Sequence, residues 1–175
     1  MNERTRAQQR LIGDVLNVLT EAGDLRCWLF GGWGLDARIG RATRDHSDVE
    51  FWADRVDSEQ IRQALVAAGA TALDTQPPEE SCEFVKDDVM FSVAFFDRQP
   101  DGTYTPEGRW AGWVFPAGSF DAPPGHLDEL AVPAMSIDGM LAMKEQFATL
   151  RNGRPLRDKD IRDISILREL AAGVT

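Results

Sequence analysis

The chain has 175 residues, 43% hydrophobic and 27% charged, which suits one soluble globular domain with a substantial core. Its net charge of -10 argues against a nucleic-acid partner, because that affinity comes from neutralising phosphates, while leaving room for a cationic small molecule. No apolar run approaches a membrane-spanning length and MNERTRAQQR lacks the apolar stretch of a signal peptide, so a cytoplasmic protein with no membrane association is expected.

In chain order, Leu11/Ile12, Val15/Leu16 and Leu19 recur at helical spacing and predict a helix over 5–21, stopped by Gly23. Cys27 to Phe30 reads as a buried strand ending at Gly31-Gly32, and Trp33 to Ile39 as a short helix closed by Gly40. A polar loop, 41–47, leads into a strand over 48–52. Asp57 and Gln60 suggest a capping box for a helix with Ile61 and Leu65 on one face, stopping near Gly69. Strands follow near 70–73, 82–85 and 89–96, with Asp87-Asp88 as a hairpin turn. Residues 97–133 hold most of the prolines and read as loops with short strands, one around 113–115. Ser136 can cap a helix with Met140, Met143 and Phe147 inward; 151–155 is a loop; a last helix carries Ile161, Ile164 and Leu167. The order argues for an α/β (α+β) fold, a mixed sheet flanked by helices, in one domain: sheet core over 1–133 and appended helices over 134–175. Cys27 and Cys82 read as buried thiols, and two histidines exclude a multi-histidine metal site.

The chemistry concentrates in GGWGLDARIGRATRDHSDVEF, residues 31–51. A glycine pair at a strand end lets a phosphate approach the backbone, and the helix that starts there offers N–H groups and a positive dipole end. Asp48 and Glu50, two apart on a strand, point to one face, with Val49 and Phe51 to the core. Adjacent carboxylates repel unless a cation lies between them, and a divalent metal on a triphosphate meets that need. Each piece alone has a plainer reading, a turn or a solvated strand face; together they point to a site. Gly32-x-Gly34-x-x-Ala37 with Asp54 also fits a dinucleotide fingerprint, against which stand the bulk of Trp33, the short helix and the long polar loop.

This segment resembles the N-terminal motif of the aminoglycoside and lincosamide nucleotidyltransferases: a glycine pair, Trp, a short helix with Asp, then Arg-x-His-x-Asp-hydrophobic-Asp. Lys144 followed by Arg157-Asp158-Lys159-Asp160-Ile161-Arg162-Asp163 is similar to the Lys…Arg-x-Lys-Asp-x-x-Asp ending of that superfamily. The resemblance implies a nucleotidyltransferase fold. It also implies magnesium-dependent transfer of a nucleoside monophosphate, adenylyl from ATP being expected, to a hydroxyl of a small cationic antibiotic-like acceptor. Asp48 and Glu50 would hold Mg2+, Gly31 and Gly32 would cradle phosphates, Arg44 and Lys144 would offset their charge, and His46 would hydrogen-bond within the site. Some relatives complete their sites across a dimer, so a homodimer is compatible with the resemblance.

Two departures stand out. The second acid is Glu50 where the family has Asp, and the third carboxylate, expected on the strand 90–96, falls at Ser92, a poor base and weak metal ligand. Glu83 on the neighbouring strand or Asp97 at the strand end would substitute only under a different register. The alternative function is therefore a catalytically weakened homologue acting as a small-molecule or protein binding module. Arg151, Arg154, Arg157 and Lys159 could meet phosphates but read more simply as a solvated loop; Trp110, Trp113 and Phe115 could flank a ligand but read more simply as core or sheet-edge packing; and the acids Glu79, Glu80, Asp87 and Asp88 could attract a polyamine, two of them belonging to a turn.

Overall fold

The computed structural model describes residues 2–150 and 153–173. Helix α1 (Glu3–Glu21) leads through β1 (Cys27–Leu29) to α2 (Gly31–Ile39), β2 (Val49–Asp54), α3 (Ser58–Ala67), β3 (Thr71–Leu73), β4 (Ser81–Lys86), β5 (Val89–Arg98) and β6 (Tyr104–Pro106). The small strands β7 (Gly125–Leu127) and β8 (Leu130–Val132) precede α4 (Ile137–Leu150) and α5 (Asp158–Ala171). Six strands form a mixed sheet, β1-β2-β5-β4-β3, with β6 on β5. Only the β2–β5 pair is parallel within it. The expected mixed sheet with two C-terminal helices is what the chain forms, and among the described residues no helix is long and apolar enough to cross a membrane.

The sheet separates two cores. One face carries Phe51, Phe84, Phe91, Val93 and Phe95, packed against Ile12, Val15 and Leu19 of α1 and Ile61 and Leu65 of α3. The other gathers Trp28, Trp52, Phe96, Trp113, Phe115 and Phe120 with Met140 and Met143 of α4 and Leu167 of α5. Strand alternation produces this division: Val49 and Phe51 face α1 and α3, and Glu50 and Trp52 face the C-terminal helices. Asp87 and Asp88 both have positive φ, 50° and 60°, the backbone of a tight two-residue hairpin turn.

Local expectations at four places give way to the structure. Residues 113–115 form no strand; Phe115 makes a single bridge to Tyr104. Asp57 caps nothing with its side chain, because a 3-10 turn over Arg55–Asp57 feeds α3 directly. Ile161 is exposed, and the inward positions of α5 are Asp160, Asp163, Ile164 and Leu167. The dinucleotide alternative also falls: β1 runs antiparallel to β2, so α2 is not the crossover of a parallel βαβ unit. Asp54 at the far end of β2 is taken by Arg98 at 2.8 Å, and Gly34 is small because a Cβ there would meet Leu29 O at 2.9 Å.

Candidate active site

The loop between α2 and β2 is fastened before it reaches the site. Asp36 of α2 is buried; its carboxylate accepts hydrogen bonds from Thr43 N (2.9 Å) and Thr43 Oγ1 (2.5 Å) and pairs with His46 Nε2 at 2.6 Å. Arginine can only donate, so the 3.2 Å contact from Arg44 Nη1 makes His46 Nδ1 the acceptor and places the ring proton on Nε2, toward Asp36. Helix α1 clamps the same loop through Thr5 to Asp45 and Gln8 to the His46 carbonyl. The ring also packs on Trp33, centroids 4.6 Å apart. Both nitrogens of His46 are thereby engaged, and the histidine holds Arg44 in place.

The glycine pair has two distinct jobs. Gly31 has φ +65°, and a Cβ there would lie 2.8 Å from Glu50 Oε2. At Gly32 a Cβ would clash with the His46 ring and approach Arg44 Nη2 at 3.1 Å. Side chains are thus disfavoured at both positions, by the acid of β2 at Gly31 and by the His46 ring at Gly32. No side chain caps α2 at Phe30, and the first N–H groups of a helix have no partner within it. Gly31 and Gly32 present that end to a cleft of about 270 Å3.

All seven residues singled out in the sequence, Gly31, Gly32, Arg44, His46, Asp48, Glu50 and Lys144, line this one cleft. Asp48 is exposed just ahead of β2, and Glu50 is half-buried within it. Burial, then the neighbouring Asp48 charge, push the Glu50 carboxyl up to about 7, against the pull of Lys159, Lys144 and Arg157. A carboxyl group whose ionised form is disfavoured in this way beside a second acid suits a cation.

The opposite wall is cationic. Lys144 Nζ of α4 is buried between Asp163 (2.8 Å) and Asp160 (3.4 Å) of α5. Arg157 reaches Asp160 at 2.6 Å and Arg44 reaches Asp163 at 3.4 Å. Burial works against the Asp160 carboxylate, but its Arg157 hydrogen bonds and the Lys144 charge outweigh that and hold its pKa below the ordinary value. Lys144 therefore organises the wall, its own charge already matched by two carboxylates. Lys159 also lines the cleft and has no ion-pair partner among the described residues. Arg157 and Lys159, expected on a solvated loop, are in fact cleft residues; Arg154 is exposed, and Arg151 lies outside the described residues. Asp160 and Asp163 look like part of a charge run, and only their spacing of three on a helix, opposite a buried lysine, marks them as internal.

Trp110, Trp113, Phe30 and Phe147 roof the cleft, so two of the three aromatics read as packing also face it. Arg109, in the 3-10 turn Gly108–Trp110, is anchored by Glu80, whose carboxylate accepts from Arg109 N at 3.2 Å. No sequence signal marked it. Glu79, Asp87 and Asp88 do not line the cleft.

The register fixes the third-acid position. Glu50 pairs with Ser92 across β2–β5, and Ser92 pairs with Glu83 across β5–β4. Ser92 therefore stands beside Glu50, as the strand pattern predicted. Asp97 is an odd number of residues further on, turned to the other face and bound to Arg55 at 2.9 Å. It cannot replace the missing acid.

The chain's similarities agree with this geometry. Residues 11–167 match the model of the aminoglycoside-2''-adenylyltransferase family. A 2''-aminoglycoside nucleotidyltransferase of Klebsiella pneumoniae is 44% identical over 44 residues, and one of Escherichia coli 43%. Each match covers 25% of this chain and 24% of the relative, so it spans about a quarter of those relatives' length. The structure of ANT(2'')-Ia with adenylyl-2''-tobramycin superposes with a TM-score of 0.74 at 21% identity, covering 96% of this chain and 92% of that one. The lincomycin-bound lincosamide adenylyltransferase LnuA gives 0.66 at 21%, covering 93% and 95%. With the family model spanning most of its length, the chain belongs to the aminoglycoside-2''-adenylyltransferase family.

Proposed function

We propose that the protein transfers an adenylyl group from ATP, with magnesium, to a hydroxyl of a small amine-bearing antibiotic of the aminoglycoside or lincosamide type. The observation that carries this reading is the polarity of one cleft. Asp48 and Glu50 stand on the sheet side, and Arg44, Arg157 and Lys159 stand beside or across from them. A triphosphate needs cations for its oxygens and a metal between it and the carboxylates. The donor set fits a small hard divalent ion: two carboxylates and no gathering of three or more His, Cys, Asp or Glu among the described residues, which leaves phosphates and waters to complete coordination. Bound there, magnesium would neutralise phosphate charge and orient the triphosphate for in-line displacement. Gly31 and Gly32 would present backbone N–H groups to a phosphate, Arg44 would be aimed by His46 and Asp36, and Arg157 and Lys159 would stabilise the departing pyrophosphate. The aromatic roof would exclude water from the reacting centre.

The similarity to enzymes whose structures hold adenylyl-tobramycin and lincomycin supports the acceptor class. The direct test is pyrophosphate release from ATP on adding tobramycin or lincomycin. Acceptor-dependent release that disappears in Asp48→Ala supports the reading, and its absence with a broad panel of hydroxylated, amine-bearing antibiotics contradicts it. A second reading, ligand binding without turnover, rests on Ser92 at the third-acid position. Binding of ATP and acceptor with no release of pyrophosphate would favour it.

A further inference from the structure

The cleft does not end at Glu50. It continues over the sheet into a depression lined by Asp48, Glu50, Ser92, Glu83, Met90 and Trp110, with about 270 Å3 of space. Glu50, Ser92 and Glu83 form one row across three adjacent strands. Residues paired directly across neighbouring strands share a face of the sheet, so all three side chains project the same way. The strand spacing puts the backbones of Glu50 and Glu83 about 10 Å apart, with Ser92 midway. The short serine side chain leaves the space above it open, and the longer reach of glutamate brings a second carboxylate to the edge of that space from one strand further out.

Glu83 is positioned rather than loose. Thr75 Oγ1 donates to its Oε2 at 2.7 Å, which fixes the carboxylate from the side away from β5. Its Oε1 lies 3.7 Å from Arg109 Nη2, an ion pair beyond hydrogen-bond reach, and so keeps its accepting capacity. The same guanidinium leans on Ser81 Oγ at 3.4 Å, so Arg109 stands at the border of the two depressions with Trp110 beside it. A half-buried glutamate on the wall of this depression, with one oxygen fixed by Thr75 and the other held only in a loose ion pair with Arg109, has the form of a proton acceptor that a donor can reach.

We propose that Glu83 is the general base of this protein, replacing from β4 the acid that Ser92 does not supply on β5; the reach of its side chain from the neighbouring strand does this without the change of register that the sequence led one to require. The inference rests on the nucleotidyl-transfer reading above. The acceptor hydroxyl would sit over Ser92. Its proton passes to Glu83 Oε1 as its oxygen forms a bond to the α-phosphorus of the nucleoside triphosphate. The bond from that phosphorus to the bridging oxygen breaks, and pyrophosphate leaves with the electron pair. Glu83 then gives the proton to solvent. Arg109 moves off Glu83 when a cationic acceptor takes its place against the carboxylate.

The test uses the full chain in four forms: the parent, Glu83→Gln, Ser92→Asp and the double variant Glu83→Gln/Ser92→Asp. Two quantities are read, the affinity for ATP with magnesium by calorimetry and the rate of tobramycin- or lincomycin-dependent pyrophosphate release. Glu83→Gln keeps ATP affinity within about threefold and lowers kcat by about 100-fold or more, the scale of a lost general base. In the double variant the new acid sits beside Glu50, and kcat recovers at least tenfold over Glu83→Gln. Separately, Glu83→Gln weakens tobramycin binding measured without nucleotide, because the carboxylate meets the acceptor directly. An active parent whose Glu83→Gln variant retains kcat within threefold overturns the assignment while leaving nucleotidyl transfer intact. So does a Glu83→Gln variant that loses ATP affinity, since that marks a structural role. A parent that releases no pyrophosphate with any acceptor overturns both readings.

Discussion

Glu50→Gln exchanges an ionisable carboxyl for a neutral amide of the same shape at the centre of the cleft. In the folded protein the Glu50 carboxyl is raised from its ordinary 4.5 to about 7, by burial first and by Asp48 second. The ionised form is therefore disfavoured by about 3 kcal/mol in the folded state relative to the unfolded chain, at about 1.4 kcal/mol for each tenfold change. The sign follows from proton counting. Between pH 4.5 and 7 the folded state holds the Glu50 proton and the unfolded chain has lost it, so this group's contribution falls as pH rises through that window and is at its worst above 7. Glutamine never ionises. Urea unfolding of the metal-free protein in a chelator should show the two forms close together at pH 4.5, with Glu50→Gln more stable by about 2–3 kcal/mol at pH 8. Asp48→Asn narrows that gap by removing the second cause. A stability difference that stays constant from pH 4.5 to 8 refutes the assignment of strain to this carboxylate.

Further consequences follow from the walls of the cleft. Lys144→Met leaves Asp160 and Asp163 facing each other without their shared cation, and chemical denaturation should show a loss of about 3 kcal/mol; a loss below 1 kcal/mol would mean that Arg44 and Arg157 suffice. Gly32→Ala drives a methyl into the His46 ring, costing about 1–3 kcal/mol and weakening ATP binding through displaced Arg44; unchanged Tm and affinity would contradict the packing. Burial pushes the Cys82 thiol up to about 11 and Cys27 higher still, so neither reacts with a disulfide reagent at pH 8 until urea unfolds the chain. A thiol titrated promptly in the native protein would overturn that assignment.

The parts of this fold that were legible in the sequence are those governed by short-range rules. The periodic Leu11–Leu19 stretch gave α1, alternation along 89–96 gave β5 and its two faces, and Asp87-Asp88 gave the turn between β4 and β5. The region after β5 was not, because residues 108–135 hold their course by tertiary contacts, such as Arg38 bonding the carbonyls of Pro123, Ala134 and Met135. The site divides the same way. Gly31, Gly32, Arg44, His46, Asp48 and Glu50 are close in sequence and could be grouped by pattern. Arg157, Lys159, Asp160 and Asp163 are recognisable only once α5 packs on α4 and turns part of a charge run inward. Glu83 falls between the two kinds: the Asp87-Asp88 hairpin sets it beside Ser92, but its place in the row with Glu50 depends on the parallel pairing of β2 with β5, which local pattern does not encode.

The most direct test of the central claim is calorimetric titration of the protein with ATP, with and without magnesium, beside Asp48→Ala. The account predicts that tight binding requires both magnesium and Asp48. Binding that is indifferent to either, or no binding with magnesium present, would contradict a nucleotide-donor site at this cleft.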